Sequence, residues 1–163
     1  MQAETCREHL QSLLADEAAL LTQLEKQLAR EHELLVKNDV EGLEAAGGAR
    51  QATVASLLRV EDERRSLCHM LGRSADAAGI ASLLRWCDPT GTLARAQAQV
   101  TERATDCRAQ NDRNGALVSA RLTRVSGILR TLDPPSGAAI YGAGGARPAE
   151  LGAHAGRLLS AQA

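Results

Sequence analysis

The sequence lacks the aromatic side chains that usually fill a protein core. It has no Phe, one Trp (Trp86) and one Tyr (Tyr141), so its apolar mass comes mainly from Leu, Ala and Val. Small aliphatic side chains suit close helix packing, whereas β-sheets favour β-branched and aromatic residues. The 163 residues are enough for one domain with a core of its own. The composition therefore favours an all-α fold.

Net charge and long apolar runs are also scarce. The formal net charge is -1, and Lys occurs only at positions 26 and 37, so no field across the whole chain points to nucleic acid. No stretch approaches the 18 or so apolar residues that a membrane span requires. The first residues, MQAETCREHL, lack the apolar segment of a secretory signal. We therefore expect a cytoplasmic protein that neither enters a membrane nor binds nucleic acid.

The patterns of catalytic and metal sites are missing as well. The cysteines lie far apart without a CxxC pair, which is typical of small buried thiols in a reducing compartment. Cys6 with His9, and Cys68 with His69, have no further ligands at metal-site spacing, and no Glu-x-x-His set appears. Neither pair is part of a complete nucleophile–base grouping of the kind that catalysis requires. We expect no enzymatic activity, no cofactor and no metal.

The dominant feature that is present is a leucine stripe over residues 10–35. Its apolar positions recur in steps of four and three, a 3.5-residue period that forms one face of a helix. A helix over residues 3–37 would be roughly 50 Å long and needs partner helices of similar length. The positions of the stripe are Leu10, Leu14, Glu17, Leu21, Leu24, Leu28, Glu31 and Leu35.

Two further long helices are predicted, at 39–71 and 92–131, with a short connector helix at 80–86. The second helix follows the turn residues Asn38 and Asp39, and its stripe includes Arg50, Val54, Glu61 and Arg64. The third ends at the Asp-Pro-Pro run of 133–135. The predicted fold is all-α, an elongated antiparallel bundle of three long helices with a short connector, over residues 1–132. Residues 133–163 are predicted to form a flexible, partner-binding tail, of which 149–159 could become helical when docked.

Two asparagines and a glycine interrupt the third helix at Asn111, Asn114 and Gly115. Asn and Gly both disfavour a helix interior, so this cluster needs an explanation. One alternative is a tolerated defect. The other, which we favour, is an amide in the core that bonds a neighbouring helix, with Gly115 allowing a backbone to approach.

Several runs of the sequence, taken in order, resemble those of the FlgN-type flagellar export chaperones. The matching runs are LLADEAALLTQLEKQLAREHELL in the first helix, NDVEGLEAA and ERRSLCHMLG at the two ends of the second, QNDRNGALV in the third and IYGAGG in the tail. The QNDRNGALV run is similar to the family's Asn-x-x-Asn-Gly-x-Leu pattern, which the resemblance places at Asn111, Asn114, Gly115 and Leu117.

The resemblance implies a cytoplasmic type III export chaperone without catalytic activity. Its clients would be hook-associated (hook–filament junction) proteins, bound by their C-terminal helix, kept from premature assembly and delivered to the export gate or export ATPase complex. Helix-in-groove recognition suits this role. The expected partner-binding residues are Leu122, Val125, Ile128 and Leu132 in the third helix, and Tyr141, Leu151, Leu158 and Leu159 in the tail. Tyr141 could instead pack only on its own bundle.

A second hypothesis belongs to a different functional class. A structural coiled-coil protein could homo-oligomerise through the leucine stripe and have no export client. The sequence leaves both hypotheses open, and it equally leaves open whether the resting protein is a monomer or a homodimer.

Overall fold

The computed structural model describes residues 2–132. In this range the chain forms four α-helices and no strand: α1 (Ala3–Lys37), α2 (Val40–Met70), α3 (Ala77–Cys87) and α4 (Thr92–Leu132). The prediction of an all-α bundle of long helices is confirmed. None of the described helices is long and apolar enough to cross a membrane. The predicted tail lies outside the described residues, together with Tyr141, Leu151, Leu158 and Leu159.

The chain divides into two units, of which the first ends at Ser126 and holds α1 to α3 and most of α4. The described part of the second unit, residues 127–132, is the last turns of α4 and is treated by itself. The packing that follows concerns the first unit alone.

The leucine stripe of α1 forms the centre of the core. Its leucines at the predicted positions are buried, apart from the half-buried Leu24, and Leu13 and Leu34 are buried beside them. Each fully buried leucine stabilises the fold by about 1.5–3 kcal/mol. The buried leucines of the predicted stripe are Leu10, Leu14, Leu21, Leu28 and Leu35.

A two-residue turn joins α1 to α2. Asn38 takes the left-handed conformation (φ 60°), and the Asp39 Oδ1 atom caps α2 by accepting from the Gly42 N–H at 2.9 Å. A Cβ atom at Gly42 would lie 2.7 Å from both Asp39 Oδ2 and Leu34 Cδ2. The turn therefore tolerates only glycine at position 42 without a shift of its neighbours.

Two ion pairs fix the antiparallel register of α1 and α2. Arg64 donates to Glu17 at 2.6 Å, and Arg50 donates to Glu31 at 2.8 Å. The two acids lie two heptads apart on α1, and the two arginines lie two heptads apart on α2. A shift of one helical turn would separate both pairs and leave partly buried charges without a partner, which is costly.

The long helix α4 runs parallel to α1 and antiparallel to α2. On α4, the Cys107 Sγ atom donates to the carbonyl of Leu21 of α1 at 3.7 Å. Arg103 of α4 donates to the hydroxyl of the next residue of α1, Thr22. The residues of α4 that face the core follow a seven-residue spacing that suits packing along a parallel helix. These buried residues are Leu93, Val100, Cys107 and Asn114.

The connector α3 lies at the end of the bundle where α1 begins and α2 ends. Three buried cysteines bring these elements together, Cys6 from α1, Cys68 from α2 and Cys87 from α3. Asp88 then caps α4, since its Oδ2 atom accepts from the Leu93 N–H at 2.6 Å. Trp86 lies at the surface, 40% exposed, with the Arg73 guanidinium 5.8 Å from its ring centre.

The buried face of α2 differs from the predicted one by one residue. Thr53 and Val60 are buried, whereas Val54 is exposed and Glu61 is only half-buried. The Thr53 hydroxyl donates to the Ala49 carbonyl at 3.2 Å, so its burial leaves no hydrogen-bond donor without a partner. The prediction is therefore wrong at Val54 and Glu61, where the residue one position earlier faces the core, and it holds at Cys68, which is fully buried.

The buried thiols generate a first prediction. Burial raises the pKa of Cys6 to about 11, and burial also raises the pKa of Cys68, Cys87 and Cys107. Because the thiolate is the reactive form, we expect Ellman's reagent at about pH 8 to label the native protein at least about a hundredfold more slowly than the urea-unfolded protein. All four thiols should be labelled once the chain is unfolded. Immediate labelling of the native protein would contradict this packing.

The Glu17–Arg64 pair generates a prediction about pH. Burial raises the pKa of Glu17 above its ordinary value of 4.5, and Arg64 offsets only part of that effect. The folded chain therefore holds this proton more tightly than the unfolded chain, so Glu17 lowers the free energy of unfolding as pH rises above that ordinary value. Glu17→Gln removes this titration. We expect the stability of the wild type minus that of the variant to be largest at low pH and to shrink toward neutral pH.

Urea unfolding of both proteins between about pH 4 and pH 8 measures this difference. A difference that grows as pH rises would show that the attraction of Arg64 outweighs burial at Glu17.

Candidate docking surface

An exposed apolar face lies on α4 near the end of the first unit. Val118, Leu122 and Val125 are all exposed, Leu122 by 63% and Val125 by 53%. Their spacing of four and three residues places them on one side of the helix. That side continues the face that carries the buried Val100 and Cys107 further down. The core-facing side of α4 is therefore exposed from Val118 to Val125.

The position of Arg121 explains why this face is uncovered. Its guanidinium donates to the Asn38 side-chain oxygen at 3.1 Å and to the Val36 carbonyl at 3.4 Å. This contact places the positive charge at the C-terminal end of α1, where the helix dipole favours it. The α1–α2 hairpin ends at this level, so the apolar residues of α4 beyond Arg121 have no helix from the hairpin beside them.

The last turns of α4 carry further apolar residues. Within the second unit, Ile128 and Leu129 are exposed by half or more. Leu132 is the final residue of the helix. The three predicted partner-binding residues with described side chains, Leu122, Val125 and Ile128, are thus all exposed, which is what contact with a partner requires.

Asn114 joins α4 to α1 just below the exposed face. It is 6% exposed, and its Nδ2 atom donates to the Leu28 carbonyl at 2.9 Å. Its Oδ1 atom accepts from His32 Nδ1 at 3.0 Å, since an amide oxygen can only accept. Both contacts cross from α4 to α1. A buried amide with two partners on one neighbouring helix fixes the register between them.

The other residues of the asparagine cluster do not lie in the core. Asn111 is exposed and accepts only a long 3.4 Å bond from Arg50, while Leu117 is half-buried. The expectation that Gly115 allows a backbone to approach is wrong, because a Cβ atom there would meet nothing within 4 Å. Asn114 therefore carries the buried contact to α1, Asn111 makes only an exposed contact to α2, and a side chain at position 115 would meet open space.

Arg121 and His32 are the residues of this site that sequence reasoning missed. Arg121 comes seven residues after Asn114 and so continues the spacing of the core-facing residues of α4. A charged residue at such a position was the available signal that α1 no longer covers α4 there. His32 left no comparable signal, because a single sequence does not show that it meets Asn114 across 82 residues of chain.

The chemistry of this surface is that of binding. In residues 2–132 no group of three His, Cys, Asp or Glu side chains is placed to hold a metal ion. The surface offers apolar side chains at helical spacing beside the arginines Arg121 and Arg124, an arrangement that accommodates a partner helix.

Comparison with known proteins adds one finding. The model of the FlgN protein family matches residues 1–149, which is most of the chain. Comparisons with curated proteins and with solved structures return no significant match.

Asn114 generates a prediction with a control in the same cluster. Asn114→Ala removes two interhelical hydrogen bonds and should lower the free energy of unfolding by about 1–3 kcal/mol. Asn111→Ala, at the exposed position three residues earlier, should change it by less than about 0.5 kcal/mol. Urea unfolding followed by circular dichroism measures both. Equal effects at the two positions would show that the register does not depend on the buried amide.

Proposed function

Because the chain belongs to the FlgN family, and is therefore a flagellar export chaperone, we propose that it binds the C-terminal helix of hook-associated proteins in the cytoplasm. Binding keeps these clients from assembling prematurely, and the chaperone then delivers them to the export gate or export ATPase complex. The single observation that carries the proposal is the exposed continuation of the core face of α4 at Val118, Leu122 and Val125.

The proposed client helix lies along α4 beyond the hairpin tip. There it takes the side of α4 that α1 covers lower down, so its apolar residues meet Val118, Leu122 and Val125. Ile128 and Leu132 stay predicted partner-binding residues of the second unit. Burying three such side chains contributes a few kcal/mol, from which the cost of ordering the client is subtracted. Moderate affinity of this kind suits a chaperone that must release its client at export.

The proposed role of the tail is to complete this contact. Leu151, Leu158 and Leu159 are spaced to form a short amphipathic face, and Tyr141 adds an aromatic side chain of the kind enriched at binding hot spots. We propose that these residues close on the client helix after it docks. The energy spent in ordering the tail keeps binding reversible.

The burial of the α1 stripe favours a chaperone over a structural coiled-coil oligomer. Leu10, Leu21 and Leu28 are each at most 4% exposed inside their own bundle. A stripe that is already covered cannot serve homo-oligomerisation unless the bundle opens. A homodimer that forms through another surface stays compatible with the proposal.

The proposal predicts that acidic substitutions on the α4 face abolish client binding. Leu122→Glu combined with Val125→Glu places two carboxylates at the proposed contact and should weaken binding of a client C-terminal helix peptide by at least about tenfold. Isothermal titration with a peptide from the hook-associated protein of the same organism measures this. Wild-type binding should show a negative heat-capacity change, the mark of apolar burial.

Leu58→Glu is the matched control, because Leu58 on α2 is 61% exposed, nearly as much as Leu122. It should leave the affinity unchanged, and all variants should keep their helical circular dichroism. A chain that ends at Leu132 should bind more weakly than the full chain if the tail takes part. Unchanged binding by the double variant would place the client elsewhere.

A further inference from the structure

Charge is distributed unevenly along the chain. Residues 113–132 contain four arginines and no acidic residue, although the net charge of the whole chain is only -1. The α1–α2 hairpin shows the opposite bias, with 13 acidic and 8 basic residues in 3–70. The exposed apolar face of α4 thus lies in the longest stretch of the chain without an acidic residue, and that stretch carries four arginines.

The arginines lie beside the apolar face. At roughly 100° per residue, Arg121 and Arg124 lie on the same side of the row formed by Val118, Leu122 and Val125. Arg124 is exposed, and within residues 2–132 it forms no ion pair or hydrogen bond. Arg50 and Arg64, by contrast, are paired with acids of α1. Among the described residues, Arg124 is therefore the cation beside the docking face that is left available for a partner, while Arg121 bonds the neutral oxygens of Asn38 and Val36 and keeps its charge uncompensated.

We infer that the partner of this face is an acidic amphipathic helix, with carboxylates placed beside its apolar residues. The inference rests on the proposed function and adds to it the chemistry that selects the client. Arg124 would pair with a flanking carboxylate of the client, and Arg121 would add its field from the hairpin tip. Flanking charges of this kind steer association and reject helices of the wrong sign more than they add affinity.

The geometry favours a helix over an anionic membrane surface. Arg121 joins α4 to the hairpin tip, where the exposed acids Asp39 and Glu41 outnumber the exposed Lys37. A flat anionic bilayer that reached Leu122 would also approach these acids and be repelled. A single helix lying along α4 beyond Arg121 leads away from these acids and toward Arg124.

Two designed peptides test the inference on the full chain. They share one leucine row at helical spacing and differ only in the flanking residues, which are Glu in one peptide and Lys in the other. The wild type should bind the Glu peptide about threefold to tenfold more tightly at about 50 mM salt, and the difference should shrink at about 500 mM because salt screens exposed charges. Equal affinities at low salt would overturn the inference.

Charge reversal at Arg124 makes the test specific. Arg124→Glu should weaken the Glu peptide by about threefold to tenfold and strengthen the Lys peptide. Arg108→Glu is the control, because Arg108 is an exposed arginine of the same helix that precedes the all-positive segment. It should change neither affinity, and thermal unfolding should show that both variants are folded. Loss of both peptides in the Arg124→Glu variant alone would contradict charge selection.

The natural client peptide separates this inference from the proposed function. If that peptide binds the wild type and Arg124→Glu equally, at every salt concentration, charge selection is wrong while the chaperone role stands. If it binds neither protein while the Glu peptide binds the wild type, the proposed client is wrong and the charge selection stands.

Two other partners are outcomes of the same experiment. Cosedimentation with vesicles rich in phosphatidylglycerol that requires Arg124, with neither designed peptide bound, would overturn the inference in favour of a membrane surface. Self-association that requires Arg124 in analytical ultracentrifugation, again without peptide binding, would overturn it in favour of a second copy of the chain.

Discussion

Covering the leucine stripe of α1 is the constraint on which the rest of the structure depends. A helix of roughly 50 Å with one apolar face cannot be buried by loops, so it requires helices beside it along its whole length. α2 supplies one of them by folding back at Asn38, and α4 supplies the other by running parallel to α1. The connector α3 follows from this arrangement, because α2 ends and α4 begins at the same end of the bundle. The length of α1 also determines the residue of α4 beyond which α1 no longer packs against it.

Leucine alone does not determine how these helices align. A shift of seven residues would again place leucines opposite leucines, so the apolar stripe specifies the face but hardly the register. The polar residues within the stripe supply the missing information. Glu17 and Glu31 meet Arg64 and Arg50 in only one antiparallel alignment, and Asn114 reaches the Leu28 carbonyl in only one parallel alignment. Such groups add little net stability, but a misaligned bundle would leave them buried without partners.

The sequence predicts the fold from periodicity and leaves the specific contacts undetermined. The spacing of leucines defines a helical face whatever the partner is, so α1 and the all-α class could be derived from it. The charges at Glu17 and Arg64 were visible as exceptions to the apolar pattern, but their pairing requires the depth and rotation at which α2 packs. For the same reason Asn111 and Asn114 looked equivalent, although only Asn114 faces α1. Glycine inside a helix suggests that another backbone approaches closely, which is why such a contact was predicted at Gly115. The space around Gly115 is in fact open.

The docking surface follows from the same arrangement as the core. In its lower part α4 presents Val100 and Cys107 to α1, and beyond Arg121 the same side of the helix presents Leu122 and Val125 to solvent. The apolar side chains of this segment are not part of the core, which leaves them open to a partner. The nearby arginines keep an exposed apolar row hydrated and discourage contact with other basic surfaces. A client helix that supplies both the apolar residues and the carboxylates would extend the packing of α1 beyond the hairpin tip, by the interactions that already hold the bundle together.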